Sequence, residues 1–426
     1  MKVLIVNTSE KTGGAAVAAG RLMAALNNHG VEARMLVRDK ATDSPLVTGL
    51  RRNWLSRWRF LWERWCIFSR IGFSKKHLFE IDIANTGADI TQLPEFREAD
   101  VVHLHWVNQG MLSLSGIRKI LKSGKPVVWT MHDVWPATAI CHYTQGCRAF
   151  TTQCGNCQLL PSGGSPCDLS NRVWRRKMRM LDGSRVSFVA CSRWLEGQAR
   201  QSALLAGHRV TSIPNAIDTQ VFFPQDKAEA RRKLNLPADK RLLLFVSQRV
   251  TDRRKGIGYL VEAIRMLVEA HPEMKDNTGV AILGSHSEEV AGQLALPAFP
   301  LGYMSDAHQI AEVYSAVNLF VLPSLEDNLP NTIMEAMACG VPCVGFEVGG
   351  IPEEIDHLVN GYVARYKDTS DLAEGIRWVL DETDRKSLGA AAVEKVAAAY
   401  SQGSVAARYK EVYNETLLYH NRNPKR

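Results

Sequence analysis

The stretch NLFVLPSLEDNLPNTIMEAMACGVPCVGFEV, Asn318 to Val348, decides the fold. It holds an apolar run (318–324), a polar turn, a short helical segment starting around Asn331 and closed by Gly340, and a second apolar run (342–348). Strand, helix and strand in this order make a right-handed crossover between parallel strands. The turn raises its own question, because acidic and amide side chains sit directly before a helix N-terminus. The backbone N–H groups of Asn331, Thr332 and Ile333 point out of such a helix and suit phosphate oxygens. Asp327 stands on the turn and Glu335 one turn inside the helix. Carboxylates placed there accept hydrogen bonds from hydroxyls, so a sugar or a ribose is a natural partner. A capped helix with solvated carboxylates is the competing reading.

The alternation continues in both directions. KVLIVN (2–7), ARMLV (33–37), VVHLHW (101–106), KPVVWTMH (125–132) and VSFVACS (186–192) come first, and RLLLFVS (241–247) and GVAILG (279–284) precede the opening stretch. These runs are continuous and apolar, as in strands covered on both faces. Helical patterns lie between them. The class is α/β, with two doubly wound domains facing each other across a cleft, and ligands of open α/β sheets bind at the carboxyl ends of the strands. The boundary falls within SIPNAIDTQVFFPQDKAEARRK (212–233), giving domains 1–215 and 216–400, and a helix over 401–426 that crosses back to the first domain.

Composition narrows the class. The 426 residues carry a net charge of +8. Residues 51–76 hold eight Lys or Arg and one Glu, hence nearly all of that excess, so a general nucleic-acid binder is not expected. No run is long and apolar enough for a membrane span. The N-terminus reads as a first strand and not as a signal peptide. A cytoplasmic location follows, with thiols reduced or metal-bound.

A second motif shares the sheet edge of the first. In VSQRVTDRRKGIGYLVEAI (246–264), Arg249 closes a strand and Lys255 precedes a helix beside Gly256. Two cations on a strand-to-helix loop suit a pyrophosphate; a solvated basic turn is the plain alternative. With GGAAVAAGRL, TMHD, IPNAID, LPS and EAMACGVPCV, these residues resemble retaining glycosyltransferases of family 4, which have the GT-B fold. The resemblance covers nearly the whole chain and includes bacterial exopolysaccharide and colanic-acid-type enzymes. Asp327 stands where the family's E-x7-E usually begins with Glu.

The resemblance implies a hexosyltransferase-type reaction from a UDP- or GDP-sugar donor to a saccharide or lipid-linked saccharide. Arg249 and Lys255 would bind the diphosphate and stabilise it as it leaves, with no cofactor required for catalysis. Glu335 would bind the ribose, and Asp327 the transferred sugar. Gly302 and Tyr303, in PLGYMS, would hold the base. His132 would contact the sugar near the reacting carbon; a structural histidine paired with Asp133 is the alternative. Gly13 and Gly14 would let backbone approach the ligand, or form a simple tight turn. HLHW places His103 and His105 on alternate faces, so at most one would be functional. Attack would come from the face the diphosphate leaves, with a leaving-group oxygen taking the proton. A non-catalytic sugar-nucleotide-binding or scaffold protein of the same fold is the alternative function.

Two features lie outside that chemistry. CHYTQGCRAFTTQCGNC brings Cys141, Cys147, Cys154 and Cys157 together in an insertion at about 138–168. A structural zinc, reduced packing thiols and disulfides all fit it. In 51–76, Trp54, Trp58, Leu61, Trp65 and Phe68 recur at helical spacing, with Arg57, Arg59, Arg64 and Arg70 beside or opposite them. This suits an anionic membrane surface on the inner face of the cytoplasmic membrane, or a helix packing its aromatics inward.

Overall fold

The computed structural model describes residues 1–50 and 53–422, so Arg51 and Arg52 of the basic segment lie outside the described residues. The chain divides into two compact units: residues 1–214 with the chain from Val405 onward, and Asn215–Ser404.

The first unit is built on β1 (Lys2–Ser9), β2 (Glu32–Asp39), β3 (Val47–Gly49), β4 (Val101–Leu104), β5 (Val127–Met131), β6 (Ser187–Ala190) and β7 (Arg209–Ser212). All pairings are parallel, in the order β3-β2-β1-β4-β5-β6-β7. Val3 to Val6 of β1 are at most 2% exposed, which explains an apolar run without alternation. The order reverses between β1 and β4. That is the switch point where loops diverge and leave a crevice at the carboxyl edge.

The second unit repeats the plan with β8 (Arg241–Arg249), β9 (Thr278–Ser285), β10 (Ala298–Gly302), β11 (Leu319–Leu322), β12 (Cys343–Phe346) and β13 (Gly361–Ala364). Its order is β10-β9-β8-β11-β12-β13, again parallel, with the switch between β8 and β11.

The last helix, Gln402–Arg422, packs into the first unit through polar contacts. Tyr413 OH lies 2.8 Å from His103 Nδ1, Tyr409 OH 2.9 Å from Thr130 Oγ1, and Thr416 Oγ1 3.0 Å from Ser187 Oγ. Each partner is on a central strand, so the helix closes one face of that sheet.

Helix Asn53–Arg70 is turned inside out. Trp54, Trp58, Leu61, Trp62 and Trp65 are 45–69% exposed, while Glu63 and Arg64 are buried. The aromatics do not pack inward, Trp62 joins the same outer face, and Arg64 belongs to the core and not to a solvated flank. Arg64 Nη1 donates to Leu78 O at 2.7 Å, and its Nη2 pairs with Asp82 Oδ1 at 3.1 Å. Asp82 also faces His142 Nε2 at 3.5 Å, and His142 Nδ1 lies 2.7 Å from Asp133 Oδ2. Two cations and two carboxylates therefore balance inside this unit. Burial alone would lower the His142 pKa, but Asp133 and Asp82 push it up to about 9. Burial, then the neighbouring Asp82 charge, raises the Glu63 pKa, so Glu63 sits there as a neutral acid.

Candidate active site

In the second unit the two loops flanking the switch point carry the predicted cations and carboxylate. Arg249 ends β8, is exposed, and donates from Nε to Thr251 Oγ1 at 3.0 Å. Asp252 caps the turn Arg253–Lys255, and Gly256 follows at φ 73°. A Cβ on Gly256 would lie 1.7 Å from the Pro323 carbonyl oxygen. Only glycine lets this loop lie so close to the loop after β11. The two loops are then stitched together. Leu325 N donates to Arg254 O at 2.8 Å, and Arg254 Nη1 to Glu326 O at 3.1 Å. Lys255 Nζ donates to Asp327 Oδ2 at 2.5 Å.

The Lys255–Asp327 pair is mostly buried, with side chains 18% and 11% exposed. Ser324 Oγ also donates to Asp327 Oδ2 at 3.0 Å. Burial pushes the Asp327 carboxyl up, but Lys255 and then Arg254 outweigh it and hold the pKa below the usual carboxylate range. Asp327 is thus an ionised group that aims Lys255.

The helix after this loop is Asn331–Ala338, with Pro330 before it and no side-chain cap. Its first turn corrects one expectation. Ile333 N donates to Pro330 O at 3.0 Å, so that N–H is consumed by the turn and is not offered to an anion. Asn331 Oδ1 accepts from Asn215 Nδ2 at 3.0 Å. Thr332 Oγ1 is buried without a hydrogen-bond partner among the described residues. Glu335 is buried, and Tyr314 OH donates to its Oε2 at 3.1 Å. Burial, then the Glu335 charge, keeps the Tyr314 phenol protonated. Glu335 is therefore a held carboxylate with fixed orientation, not a solvated one. Gly302 ends the edge strand β10 at φ 68°, and Tyr303 beside it is exposed.

In the first unit Gly13 leaves β1 at φ 90° and caps helix Gly14–Asn28, accepting at its carbonyl from Ala16 N and Val17 N. His132 follows β5. Its Nε2 lies 2.9 Å from His105 Nδ1, and its Nδ1 lies 3.8 Å from Cys191 Sγ. Cys191 Sγ donates its single proton to Met131 O at 2.9 Å, so the sulfur faces His132 as an acceptor. On this contact we assign the His132 proton to Nδ1, which leaves Nε2 to accept from His105. Burial lowers the His132 pKa to about 4 and takes His105 well below its usual value, so the pair is neutral.

One further expectation changes here. His103 and His105 share a face, with rings 4.3 Å apart, because residues two apart on a strand point the same way. His103 is held by Thr130 and Tyr413, a structural role, and His105 is the one that reaches His132. The Asp133 charge acts on His132, raising its pKa against the larger effect of burial. The Asp133 carboxylate accepts from Trp106 Nε1 at 2.9 Å, Trp135 N at 2.8 Å and His142.

Cys141, Cys147, Cys154 and Cys157 are free thiols. Burial pushes the Cys141 and Cys154 thiols up to about 12, and among the described residues no group of three or more His, Cys, Asp or Glu is placed to hold a metal ion. Among the described residues the four thiols form no disulfide, and side chains hold the insertion in place. What fixes it is Lys177, whose Nζ donates to Thr138 O at 3.0 Å, and His142.

Sequence reasoning passed over Tyr314, Arg254, Glu63 and Asp82. Only Arg254, next to Lys255, left a local signal.

Comparison with known proteins agrees with this layout. The profile described as Glycosyltransferase Family 4 matches residues 12–221, and that described as Glycosyl transferases group 1 matches residues 226–395. A D-inositol 3-phosphate glycosyltransferase of Thermobispora bispora is 30% identical over 220 residues, 49% of this chain and 51% of that protein. The chain thus spans about half the length of curated relatives of this kind. An alpha-maltose-1-phosphate synthase of Mycolicibacterium smegmatis is 27% identical over 348 residues, 77% of this chain and 82% of that one. Among solved structures, sucrose-phosphate synthase from Thermosynechococcus elongatus superposes with a TM-score of 0.68 at 18% identity, covering 98% of this chain and 100% of that one. Anabaena HepE in complex with UDP and glucose gives 0.63 at 17% identity, covering 97% and 100%. With both units matched by their own profiles and the parallel-sheet architecture shared along the length, the chain belongs to the family 4 glycosyltransferases of GT-B fold.

Proposed function

We propose that this protein transfers a sugar, with retention, from a nucleoside diphosphate sugar to a saccharide or lipid-linked saccharide in cell-surface polysaccharide synthesis. The observation that carries the reading is the stitched pair of loops in the second unit. It sets Arg249 and the Asp327-aimed Lys255 at the switch point, beside the start of helix Asn331–Ala338. Negative charge grows on the diphosphate as the glycosidic bond breaks, and fixed cations there lower the barrier. Arg249 and Lys255 supply that charge. Glu335, oriented by Tyr314, accepts from ribose hydroxyls, and His132 faces the sugar. A leaving-group oxygen takes the acceptor proton.

Support for the donor class comes from relatives: Anabaena HepE, of like fold, has been seen in complex with UDP and glucose. Incubation with UDP- and GDP-sugars, followed by the anomeric configuration of any product, tests the reading. An inverted product would refute retention.

We infer that the enzyme works in the cytoplasm on the inner face of the membrane, with the outward aromatics of helix Asn53–Arg70 at the lipid interface. Among the described residues no helix is long and apolar enough to cross a membrane. Flotation with anionic vesicles tests this: Trp58→Ala/Trp65→Ala should lose binding, and equal flotation of parent and variant would sink it.

The non-catalytic reading has one observation in its favour, that Asp327 is engaged by Lys255. Detectable turnover removes it.

A further inference from the structure

Helix Asn53–Arg70 borders a cavity that the transfer chemistry leaves unused. It measures about 470 Å³ and is lined by Arg38, Asp39, Lys40, Gly49, Ser56, Arg57 and Phe60. Arg38 and Asp39 end β2 and Gly49 ends β3, so the cavity opens at the carboxyl edge of the first sheet, the edge that also carries Gly13 and His132. Its volume falls in the range of small-ligand pockets, roughly 300–1,000 Å³.

The lining has three cations and one carboxylate. Arg38 is a fixed wall: Nε donates to Asp39 Oδ1 at 2.9 Å, Nη1 to Gln109 O, and its guanidinium lies over the Phe60 ring at 5.4 Å. The other two cations are on offer. Lys40 is exposed and among the described residues its Nζ donates to Ser44 O alone, at 3.2 Å, which leaves two of its three donors. Arg57 is exposed and makes no ion pair or hydrogen bond among the described residues. Cations with spare donors on a concave wall suit a phosphate or diphosphate.

The same helix says where that phosphate comes from. Arg57 is one residue from Trp58, and Trp58 stacks on Trp62 with ring centroids 5.6 Å apart. Trp54, Leu61 and Trp65 extend this outer face, and the helix is pinned from within by Arg64. An apolar face bordering a basic cavity matches an amphiphile with a phosphate at its head. A free anion would need the cavity but not the aromatic face.

We propose that this cavity seats the phosphate or diphosphate of a phosphorylated lipid, with Lys40 and Arg57 as its donors and the aromatic face in contact with the chain. In the reaction this lipid carries the saccharide acceptor, and that part rests on the function proposed above.

Calorimetry on the full chain tests the seat with farnesyl diphosphate, below its micelle concentration, and with inorganic diphosphate. The parent should bind farnesyl diphosphate and bind inorganic diphosphate more weakly. Lys40→Gln/Arg57→Gln, both at exposed positions, should weaken farnesyl diphosphate binding roughly tenfold or more, because two charge-assisted contacts are lost. No binding by the parent, or equal binding by parent and variant, overturns the seat. Equal affinity for inorganic diphosphate overturns the lipid assignment. Stabilisation by nucleotide sugars is read in parallel and should not change in the variant. Its absence with farnesyl diphosphate binding intact would count against the transferase reading and leave the seat standing.

Discussion

Lys255 Nζ and Asp327 Oδ2 lie 2.5 Å apart, joining the loop after β8 to the loop after β11. The carboxylate that begins the family's paired-acid motif is thus engaged by one of the two cations expected to hold the diphosphate. Asp327→Asn should cut turnover by about tenfold or more, since Lys255 loses its aim. The same variant should bind the free nucleoside diphosphate at least as tightly as the parent, because the Lys255 charge is no longer neutralised. Steady-state kinetics and calorimetry separate the two; a joint loss of both would make Asp327 a plain structural anchor.

Gly256 is where the backbone of one loop meets the other. Gly256→Ala places a Cβ against the Pro323 carbonyl oxygen at φ 73°. Destabilisation of about 2 kcal/mol or more is expected from strain and steric conflict together, read by urea unfolding. A neutral result would mean that the loops part easily.

His105 should matter through His132. His105→Leu removes the donor 2.9 Å from His132 Nε2 while keeping an apolar, similarly sized side chain. His105→Asn keeps an N–H near the same place. Isotope-labelled histidine NMR should show the proton on His132 Nδ1 in the parent and in His105→Asn, and a mixed tautomer in His105→Leu. Turnover should follow the tautomer. An unchanged tautomer in His105→Leu contradicts the pairing.

The buried charge network predicts how stability depends on pH. His142 has its pKa raised to about 9 in the folded chain, so its contribution is complete below about 6.5, the unfolded value, and is lost as pH rises toward 9. Glu63 acts in the same direction: its folded pKa is raised, so the unfolded chain releases that proton first as pH climbs. Lys177, whose pKa burial lowers to about 7, acts the other way over much of that window. The His142 part is therefore read as the stability difference between the parent and His142→Gln, which should shrink by on the order of a few kcal/mol between about pH 6.5 and 9. His142→Gln should melt lower than the parent at about pH 6.5 and close that gap toward about pH 9. A gap that does not change with pH would contradict the His142 assignment.

Nine of the thirteen strands among the described residues could be read from the sequence, and the four that escaped are β3, β7, β10 and β13. These are the outermost strands of the two sheets. An edge strand is covered less and pairs on one side only, so it needs no long apolar run: β3 has three residues, and β10 contains Pro300. Arg249, Lys255, Asp327 and Glu335 were legible because they punctuate strand ends and a helix start. Tyr314 was not, and His105 was picked out without its role, because what aims Glu335 and His132 comes from other elements, on spacings that only the packed sheet creates. The inside-out helix shows the limit most clearly. Its 3.6-residue periodicity gave the aromatic stripe, but not which way the stripe faced. That was fixed by Asp82, the buried carboxylate that draws Arg64 inward and that His142 faces from the other side.

The central claim is that Arg249 and Lys255 hold the diphosphate of a nucleotide sugar, and thermal-shift measurement with UDP-, GDP- and ADP-sugars tests it most directly. Arg249 is exposed and among the described residues its side chain bonds to Thr251 Oγ1, so Arg249→Ala should leave the unliganded melting temperature nearly unchanged, within about 0.5 kcal/mol in stability. One sugar nucleotide should stabilise the parent, and Arg249→Ala should lose roughly tenfold or more of that affinity together with its turnover. No stabilisation of the parent by any of the three, or equal stabilisation of the variant, would contradict the account.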